Sequence, residues 1–293
     1  MFTGVYTALI TPFKDNKIDY DALGVIIEMQ VKGGVDGIVP MGTTGESPTV
    51  SFEEHKVLIK EVVKMAANRI KVVAGAGANS TEEAIWLSRE AEEAGVDGIL
   101  SVVPYYNKPV QRGLVTHFEK IASSISIPVI LYNIPGRAGI NFAPRGIKEL
   151  TGRVDNIVAI KEASGDITQM MRIIELCGED LTLLSGDDNL LLPVLSIGGR
   201  GVISVLSNLL PADMKKVITL YEEGNVQESR DLFYKLLPLC KAMFLETNPI
   251  PIKSAMEMAG YCTSEIRLPL VPLDEDNRKK LRHVLEKYGV NLK

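Results

Sequence analysis

Residues 156–164 read NIVAIKEAS, a stretch that combines the repeating unit of the fold with an unusual charged residue. Four consecutive apolar residues, Ile157 to Ile160, predict a strand covered on both faces, as in a parallel sheet. Lys161 follows at once. A full ammonium charge is costly in such surroundings, so this lysine needs an explanation beyond packing.

Similar short apolar runs recur along the first two thirds of the chain, each followed by a segment with helical spacing. The eight runs are GVYTALI from Gly4, DGIVPMG from Asp36, IKVVAGAG from Ile70, DGILSVVP from Asp97, PVILYNIP from Pro128, IVAIKEAS from Ile157, LTLLSGDD from Leu181 and GVISVLSN from Gly201. Three of the helix starts have the form of a capping box: Ser51 with Glu54, Ser80 with Glu83 and Asp166 with Gln169. Eight βα units predict an α/β fold, a closed (β/α)8 TIM barrel.

A doubly wound sheet is the competing architecture. A dinucleotide-binding fold of that kind should show GxGxxG after its first strand, and KDNKID stands there instead. The strand signal stops after Gly224, and the remaining sequence has helical spacing. We therefore predict two domains, a barrel over 1–224 and a C-terminal helical appendage over 225–293.

Composition excludes several functional classes. The net charge of −5, with cationic and acidic residues interspersed, gives no electrostatic footprint for nucleic acid. Cys177, Cys240 and Cys262 form no CxxC pair, which favours reduced thiols in a cytosol. No apolar run reaches the length of a membrane span, and no signal-peptide pattern opens the sequence. We expect a cytoplasmic protein with no membrane partner.

Reactive groups of a (β/α)8 barrel sit at the carboxyl ends of its strands and in the following loops. Lys161 occupies such a position on the sixth run. Desolvation disfavours the charged form of a lysine buried there and leaves an amine that can attack a carbonyl carbon. The alternatives are a lysine that reaches solvent or one that pairs with Glu162.

Loops after other strands supply further candidates. GTTGE at 42–46 places two hydroxyls and several backbone N–H groups between glycines, which suits a small carboxylate. Tyr132 ends the strand before Lys161, and its phenol can pass protons, although a packing tyrosine could stand in the same place. Arg137 could hold a second carboxylate with two hydrogen bonds, or simply lie on the surface.

The histidines argue against metal-dependent carbonyl chemistry. His55, His117 and His283 are far apart, and neither HExxH nor a short zinc spacing occurs. A P-loop, a GxSxG elbow and a Cys/His nucleophile signature are absent as well. The residues best support Schiff-base chemistry without a metal, in which the lysine itself supplies the electron sink.

Six motifs then carry a family resemblance, in order and over nearly the whole chain. They are GTTGES (42–47), PYYNKP (104–109), YNIPGRAG (132–139), IKEASGD (160–166), GVISVLSN (201–208) and ETNPIP (246–251). They resemble the motifs of the dihydrodipicolinate synthase family. The resemblance implies a class I aldolase-type lyase, without metal or organic cofactor, that condenses pyruvate with L-aspartate 4-semialdehyde in the diaminopimelate route to lysine. It also implies a homotetramer built as a dimer of dimers.

The resemblance assigns roles to individual residues. Lys161 would form the imine with pyruvate. The proton relay would consist of Thr43, Tyr132 and Tyr106, with Tyr106 supplied by a neighbouring subunit. The substrate-binding residues would be Thr44 for the pyruvate carboxylate, Arg137 for the semialdehyde carboxylate, and Ile203 in the pyruvate pocket.

Two other functions stay open at this point. N-acetylneuraminate lyase and the 2-keto-3-deoxy-acid aldolases share the lysine, the tyrosine and a GxTGE loop, although Arg137 and Thr43 favour the synthase. A keto-acid or amino-acid sensor without turnover would be expected to lose Lys161, Tyr132 or the paired threonines, and all are present.

Many members of the family also bind lysine as a feedback inhibitor at a dimer interface. The matching positions here are Ser47, His55, Asn79, Glu83 and Tyr105. Phe52 stands where lysine-sensitive relatives have histidine, and Pro48 where alanine is usual. We therefore predict weak or absent inhibition by lysine.

Overall fold

The computed structural model describes residues 2–293. Its strands are β1 (Gly4–Ala8), β2 (Phe13–Lys14), β3 (Lys17–Ile18), β4 (Gly37–Val39), β5 (Lys71–Gly75), β6 (Gly98–Val102), β7 (Val129–Asn133), β8 (Ile157–Glu162), β9 (Thr182–Ser185) and β10 (Gly201–Ser204). Within the described residues, eight strands close into a parallel barrel in the order β1, β10, β9, β8, β7, β6, β5, β4. Each predicted run contains one of these strands, so the predicted barrel is confirmed.

The helices alternate with the barrel strands and then continue alone to the end of the chain. They are α1 (Tyr20–Lys32), α2 (Phe52–Ala66), α3 (Thr81–Glu93), α4 (Gln111–Ala122), α5 (Pro135–Ala138), α6 (Pro144–Thr151), α7 (Ile167–Cys177), α8 (Leu191–Ser196), α9 (Pro211–Glu222), α10 (Val226–Ala242), α11 (Ile250–Met258) and α12 (Glu275–Tyr288). Ser51 forms the predicted capping box at α2. Ser80 and Asp166 cap α3 and α7 with their side chains. Gln169 does not complete a box, because its side-chain oxygen accepts from Asn141 Nδ2 and the backbone N–H of Asp166 donates to Ser164 Oγ.

The chain divides into two compact units. The first consists of Lys71–Ile203 with the residues before Val5, and the second of Val5–Ile70 with Ser204–Lys293. In the first unit, strands β5 to β10 pair in sequence order. Most of the side chains on both faces of these strands are buried, as expected for strands covered on two faces.

In the second unit, β1 pairs in parallel with β4, and α9 packs against α10. Helix α12 begins at its N-cap Asp274 and ends at Gly289, whose φ of 95° is the left-handed conformation that glycine adopts readily. Leu281 and Leu285 are fully buried on this helix, which packs against α10 and α11. The division into a barrel domain over 1–224 and a helical domain over 225–293 remains a prediction.

A small hairpin between β1 and α1 was not predicted. Strands β2 and β3 pair antiparallel across Asp15 and Asn16, both with positive φ. Left-handed backbone at both central residues is typical of a two-residue type I′ turn, for which Asn and Asp are tolerated. Phe13 on β2 is completely buried.

Candidate active site

Lys161 and Tyr132 lie side by side in the first unit. Strands β7 and β8 pair so that Tyr132 stands opposite Lys161. Lys161 is only 6% exposed, and its Nζ lies 4.3 Å from the centroid of the Tyr132 ring. A lysine ammonium at this distance from an aromatic face makes a favourable cation–π contact. Lys161 therefore does not extend into solvent, which was one of its alternative interpretations.

Pairing of Lys161 with Glu162 is also ruled out by the geometry. Successive side chains of a strand point to opposite faces of the sheet. The Glu162 carboxylate accepts hydrogen bonds from Ser164 N at 2.8 Å and from Asn133 Nδ2 at 2.9 Å. Burial raises the pKa of Glu162, and these hydrogen bonds oppose the rise.

Space beside Lys161 is kept open by Gly186, which follows β9. A Cβ at this position would lie 2.5 Å from Ala163 Cβ and 3.2 Å from Lys161 Cε. The next residue, Asp187, has its pKa raised by burial, while the charge of Lys161 opposes that rise. Lys161 thus lies against an aromatic ring and close to an acidic side chain. The run LTLLSGDD ends in this loop, but its pattern did not reveal the steric role of Gly186.

The loop after β7 carries Arg137 and is fixed at both ends by side-chain amides. Asn133 Oδ1 accepts from Phe142 N at 2.9 Å, and Asn133 Nδ2 donates to Asn141 Oδ1 at 2.7 Å. Asn141 Nδ2 donates in turn to Gln169 Oε1 at 2.7 Å. Arg137 itself is exposed on the short helix α5 between these anchors. We did not predict this network from the sequence, because its members are single amides at separate positions in the chain, and only Asn133 lies within one of the six motifs.

Tyr106 differs from the other proposed relay residues in its exposure. It is 89% exposed and has a left-handed φ of 74°, an uncommon conformation for a bulky residue. The backbone beside it is held by hydrogen bonds from Asn79 Nδ2 to Tyr105 O at 3.2 Å and from Asn107 Nδ2 to Asn79 O at 2.8 Å. The described chain therefore presents Tyr106 outward from an anchored loop.

Part of the predicted lysine-effector set also meets at this loop. Asn79 contacts Tyr105, and the pKa of Tyr105 is raised first by burial and then by the charge of Glu83. Ser47 and His55 belong to the second unit, where Ser47 begins a short 3₁₀ helix and His55 is buried on α2.

The GTTGE loop of the second unit follows β4 and is tightly folded. Gly45 N donates to Gly42 O and Glu46 N donates to Thr43 O, both at 3.1 Å. Thr11 Oγ1 donates to Gly45 O at 2.7 Å. A Cβ at Gly45 would lie 2.9 Å from Met41 N, so the close approach requires glycine there.

The two threonines of this loop have different surroundings. Thr44 is buried and its Oγ1 accepts from Asn248 Nδ2 at 3.0 Å, whereas Thr43 is partly exposed. Asn248 belongs to the ETNPIP motif, whose contact with the threonine loop the sequence could not reveal. Ile203, the remaining predicted site residue, is fully buried in β10 of the first unit.

No helix in 2–293 is both long and apolar enough to cross a membrane. Across the same range there is no group of three or more His, Cys, Asp or Glu side chains that could hold a metal ion.

Comparison with known proteins identifies the family. Residues 1–288 match the model of the dihydrodipicolinate synthetase family. The 4-hydroxy-tetrahydrodipicolinate synthase of Endomicrobium trichonymphae is 52% identical over 290 residues, which cover 99% of each chain. The crystal structure of dihydrodipicolinate synthase from Aquifex aeolicus superposes with a TM-score of 0.98 at 48% identity and covers 100% of both chains. The chloride-inhibited dihydrodipicolinate synthase of Acinetobacter baumannii, solved with pyruvate, has a TM-score of 0.97 at 39% identity and covers 99% of this chain and 100% of its own. The chain therefore belongs to the dihydrodipicolinate synthetase family.

Proposed function

We propose that the protein catalyses the 4-hydroxy-tetrahydrodipicolinate synthase reaction, the condensation of pyruvate with L-aspartate 4-semialdehyde through a Schiff base on Lys161. The observation that carries the proposal is a lysine Nζ buried at a strand end, 4.3 Å from the ring centroid of Tyr132. Membership of the family supports the reaction, and the pyruvate complex of the Acinetobacter relative supports pyruvate as the first substrate.

Imine formation starts when the amine of Lys161 attacks C2 of pyruvate. The nitrogen loses a proton and the former carbonyl oxygen gains one, and the carbinolamine then expels water to leave the imine. A phenol held next to the nitrogen can move these protons, which is the role we assign to Tyr132. The proposed relay is completed by Thr43 of the same chain and by Tyr106, which a neighbouring subunit supplies.

The imine nitrogen next serves as the electron sink for carbon–carbon bond formation. C3 of the bound pyruvate loses a proton to give an enamine. This carbon attacks the aldehyde carbon of the semialdehyde, whose oxygen takes up a proton and becomes a hydroxyl. The amino group of the semialdehyde then attacks the imine carbon and displaces Lys161, which closes the ring. Because the lysine supplies the electron sink, the proposed mechanism includes no metal and no organic cofactor.

The two carboxylates of the substrates need separate binding groups. We assign the pyruvate carboxylate to Thr44 in the GTTGE loop, with Ile203 lining the pocket. We assign the semialdehyde carboxylate to Arg137, whose planar guanidinium can donate two parallel hydrogen bonds. The exposure of Arg137 on an anchored loop supports a role where the second substrate enters.

The test combines chemical trapping with an assay of both aldehyde partners. Borohydride reduction in the presence of pyruvate should add a pyruvyl mass to Lys161, as located by peptide mapping, and Lys161→Ala should abolish it. Turnover should be coupled to the downstream reductase with aspartate semialdehyde and compared with release of pyruvate from N-acetylneuraminate and 2-keto-3-deoxy acids. Absence of the adduct on Lys161, or faster turnover of a sugar acid, contradicts the proposal.

Assembly and location form part of the proposal as well. An exposed Tyr106 is expected if the protein is a homotetramer, a dimer of dimers whose subunits exchange this residue. Within the described residues, Cys177, Cys240 and Cys262 form no disulfide, which is compatible with a cytoplasmic location. Sedimentation equilibrium with and without Tyr106→Ala tests the assembly.

A further inference from the structure

A second buried lysine, Lys253 on α11, has no part in the mechanism described above. Its side chain is 1% exposed, and its Nζ donates to Glu46 Oε1 at 2.6 Å, where the glutamate side chain is also 1% exposed. The same Nζ lies 4.3 Å from the centroid of the Phe13 ring. Burial lowers the pKa of Lys253, and Glu46 opposes this shift.

Glu46 is the last residue of the GTTGE loop and is held in an unfavourable backbone conformation. Its φ of 57° is left-handed, a region that glutamate rarely occupies. One carboxylate oxygen contacts Lys253, and the other accepts from Arg267 N at 3.1 Å. Hydrogen bonds at both carboxylate oxygens therefore hold the Glu46 side chain in place and stabilise its strained backbone conformation.

This fixation is transmitted to the threonines through the backbone. Glu46 N donates to Thr43 O, so a displacement of Glu46 acts directly on the peptide that follows Thr43. Asn248, which binds the Thr44 hydroxyl, precedes Lys253 by five residues in the same segment. Residues 248–253, which include the first turn of α11, thus hold the loop at the Thr44 hydroxyl and at the Glu46 carboxylate.

Stability alone is a poor reason for such a pair. Taking two charges out of water costs free energy that their attraction only partly returns, and a well-packed apolar pair of similar volume is often as stable. A buried ion pair is better suited to fixing one arrangement of the backbone, since a charge left unpaired is strongly disfavoured.

We infer that Lys253 is a positioning residue: through Glu46 it sets the conformation of the loop that presents Thr43 and Thr44 to pyruvate. The inference rests on the roles proposed above for these threonines. Lys253 itself touches no reacting atom in this scheme. Its removal should affect the binding of pyruvate and the transfer of protons, but not the identity of the residue that forms the imine.

The experiment compares Lys253→Met with the double variant Lys253→Met/Glu46→Gln. The single variant leaves a buried carboxylate without its cation, so both the melting temperature and kcat/KM should fall, with KM for pyruvate raised about 10-fold. The double variant removes the unpaired charge and should regain most of the melting temperature. If Lys253 positions the loop, kcat/KM of the folded double variant should still be at least about 10-fold below that of the original protein.

A matched control is Lys215→Met, which removes the 2.7 Å ion pair between Lys215 and Asp36 in the same unit. Asp36 directly precedes β4, whereas the GTTGE loop follows that strand. This variant should keep its KM for pyruvate. Recovery of kcat/KM in step with the melting temperature in the double variant would show a purely structural role for Lys253 and overturn the inference.

A crystal structure of the double variant separates the inference from the proposed function. An undisplaced loop, with Thr44 Oγ1 still bound to Asn248, would overturn the inference and leave the proposed function standing. A displaced loop with unchanged kinetics would refute the roles of Thr43 and Thr44 and with them the inference. Borohydride trapping on Lys161 should persist in every variant, and its absence from the original protein would contradict the proposed function alone.

Discussion

Replacement of Gly186 by alanine tests whether the space beside Lys161 is required for activity. The added Cβ would lie 2.5 Å from Ala163 Cβ and 3.2 Å from Lys161 Cε. Carbon atoms in contact are normally separated by about 3.5 to 4.0 Å, so the first contact overlaps by about 1 Å. Either Ala163 or Lys161 must therefore move.

The expected losses of stability and activity in Gly186→Ala follow from two separate effects. Overpacking of this kind lowers the free energy of unfolding by about 1 to 3 kcal/mol. If the lysine takes up the displacement, a misplacement of about 1 Å reduces the rate by on the order of 100-fold. We expect kcat/KM of Gly186→Ala to fall by roughly 10- to 100-fold, in the assay coupled to the downstream reductase.

Two further variants make the result specific. Ala163→Gly in the Gly186→Ala background removes the shorter contact and should restore most of the activity. Gly24→Ala on α1 makes the same chemical change where the new Cβ has its nearest neighbour at 4.0 Å, and it should leave kcat/KM unchanged. A folded Gly186→Ala protein with full activity would refute the steric explanation.

Three other predictions concern pH, the second substrate and regulation. Burial lowers the pKa of His117 to about 4, so between pH 6.5 and 4 the unfolded chain takes up a proton that the folded chain does not. The free energy of unfolding should therefore decrease by about 3 kcal/mol as the pH is lowered over that range. When it is measured by urea denaturation at a series of pH values, His117→Gln should reduce this dependence on pH and His283→Gln should not. Asn141→Ala removes an anchor of the Arg137 loop and should raise KM for aspartate semialdehyde about 5-fold, as for loss of about 1 kcal/mol, while the rate of borohydride trapping with pyruvate stays the same. Lysine should inhibit weakly or not at all, and Phe52→His should increase sensitivity; full inhibition of the original protein at submillimolar lysine would contradict this expectation.

The barrel was predictable because its signal is repeated and local. Each strand is a short apolar run followed by a helix with its own start signal, as at β8 and α7. Hairpin β2–β3 has no such repetition: its strands are two residues each, and its turn depends on the conformations of Asp15 and Asn16. A pattern of that length cannot be distinguished from a loop.

The candidate site was predictable only in part. Lys161 could be recognised from the sequence because a charged residue directly after four buried apolar residues is energetically unfavourable and therefore unusual. Lys253 stands in an equally apolar context, yet its meaning depends on Glu46, 207 residues away in the chain. The amides that anchor the Arg137 loop were not found for the same reason, since single Asn and Gln residues carry no spacing signal.

The distance in sequence between Glu46 and its partners also bears on how the protein matures during synthesis. Lys253 and Arg267 follow Glu46 by 207 and 221 positions, and both cations flank the ring of Phe13 near the N-terminus. Contacts of such long range form late, because they must first overcome the entropy of closing a large loop. A nascent chain on the ribosome can assemble βα units as they emerge, but its threonine loop is completed only after Arg267 has left the exit tunnel.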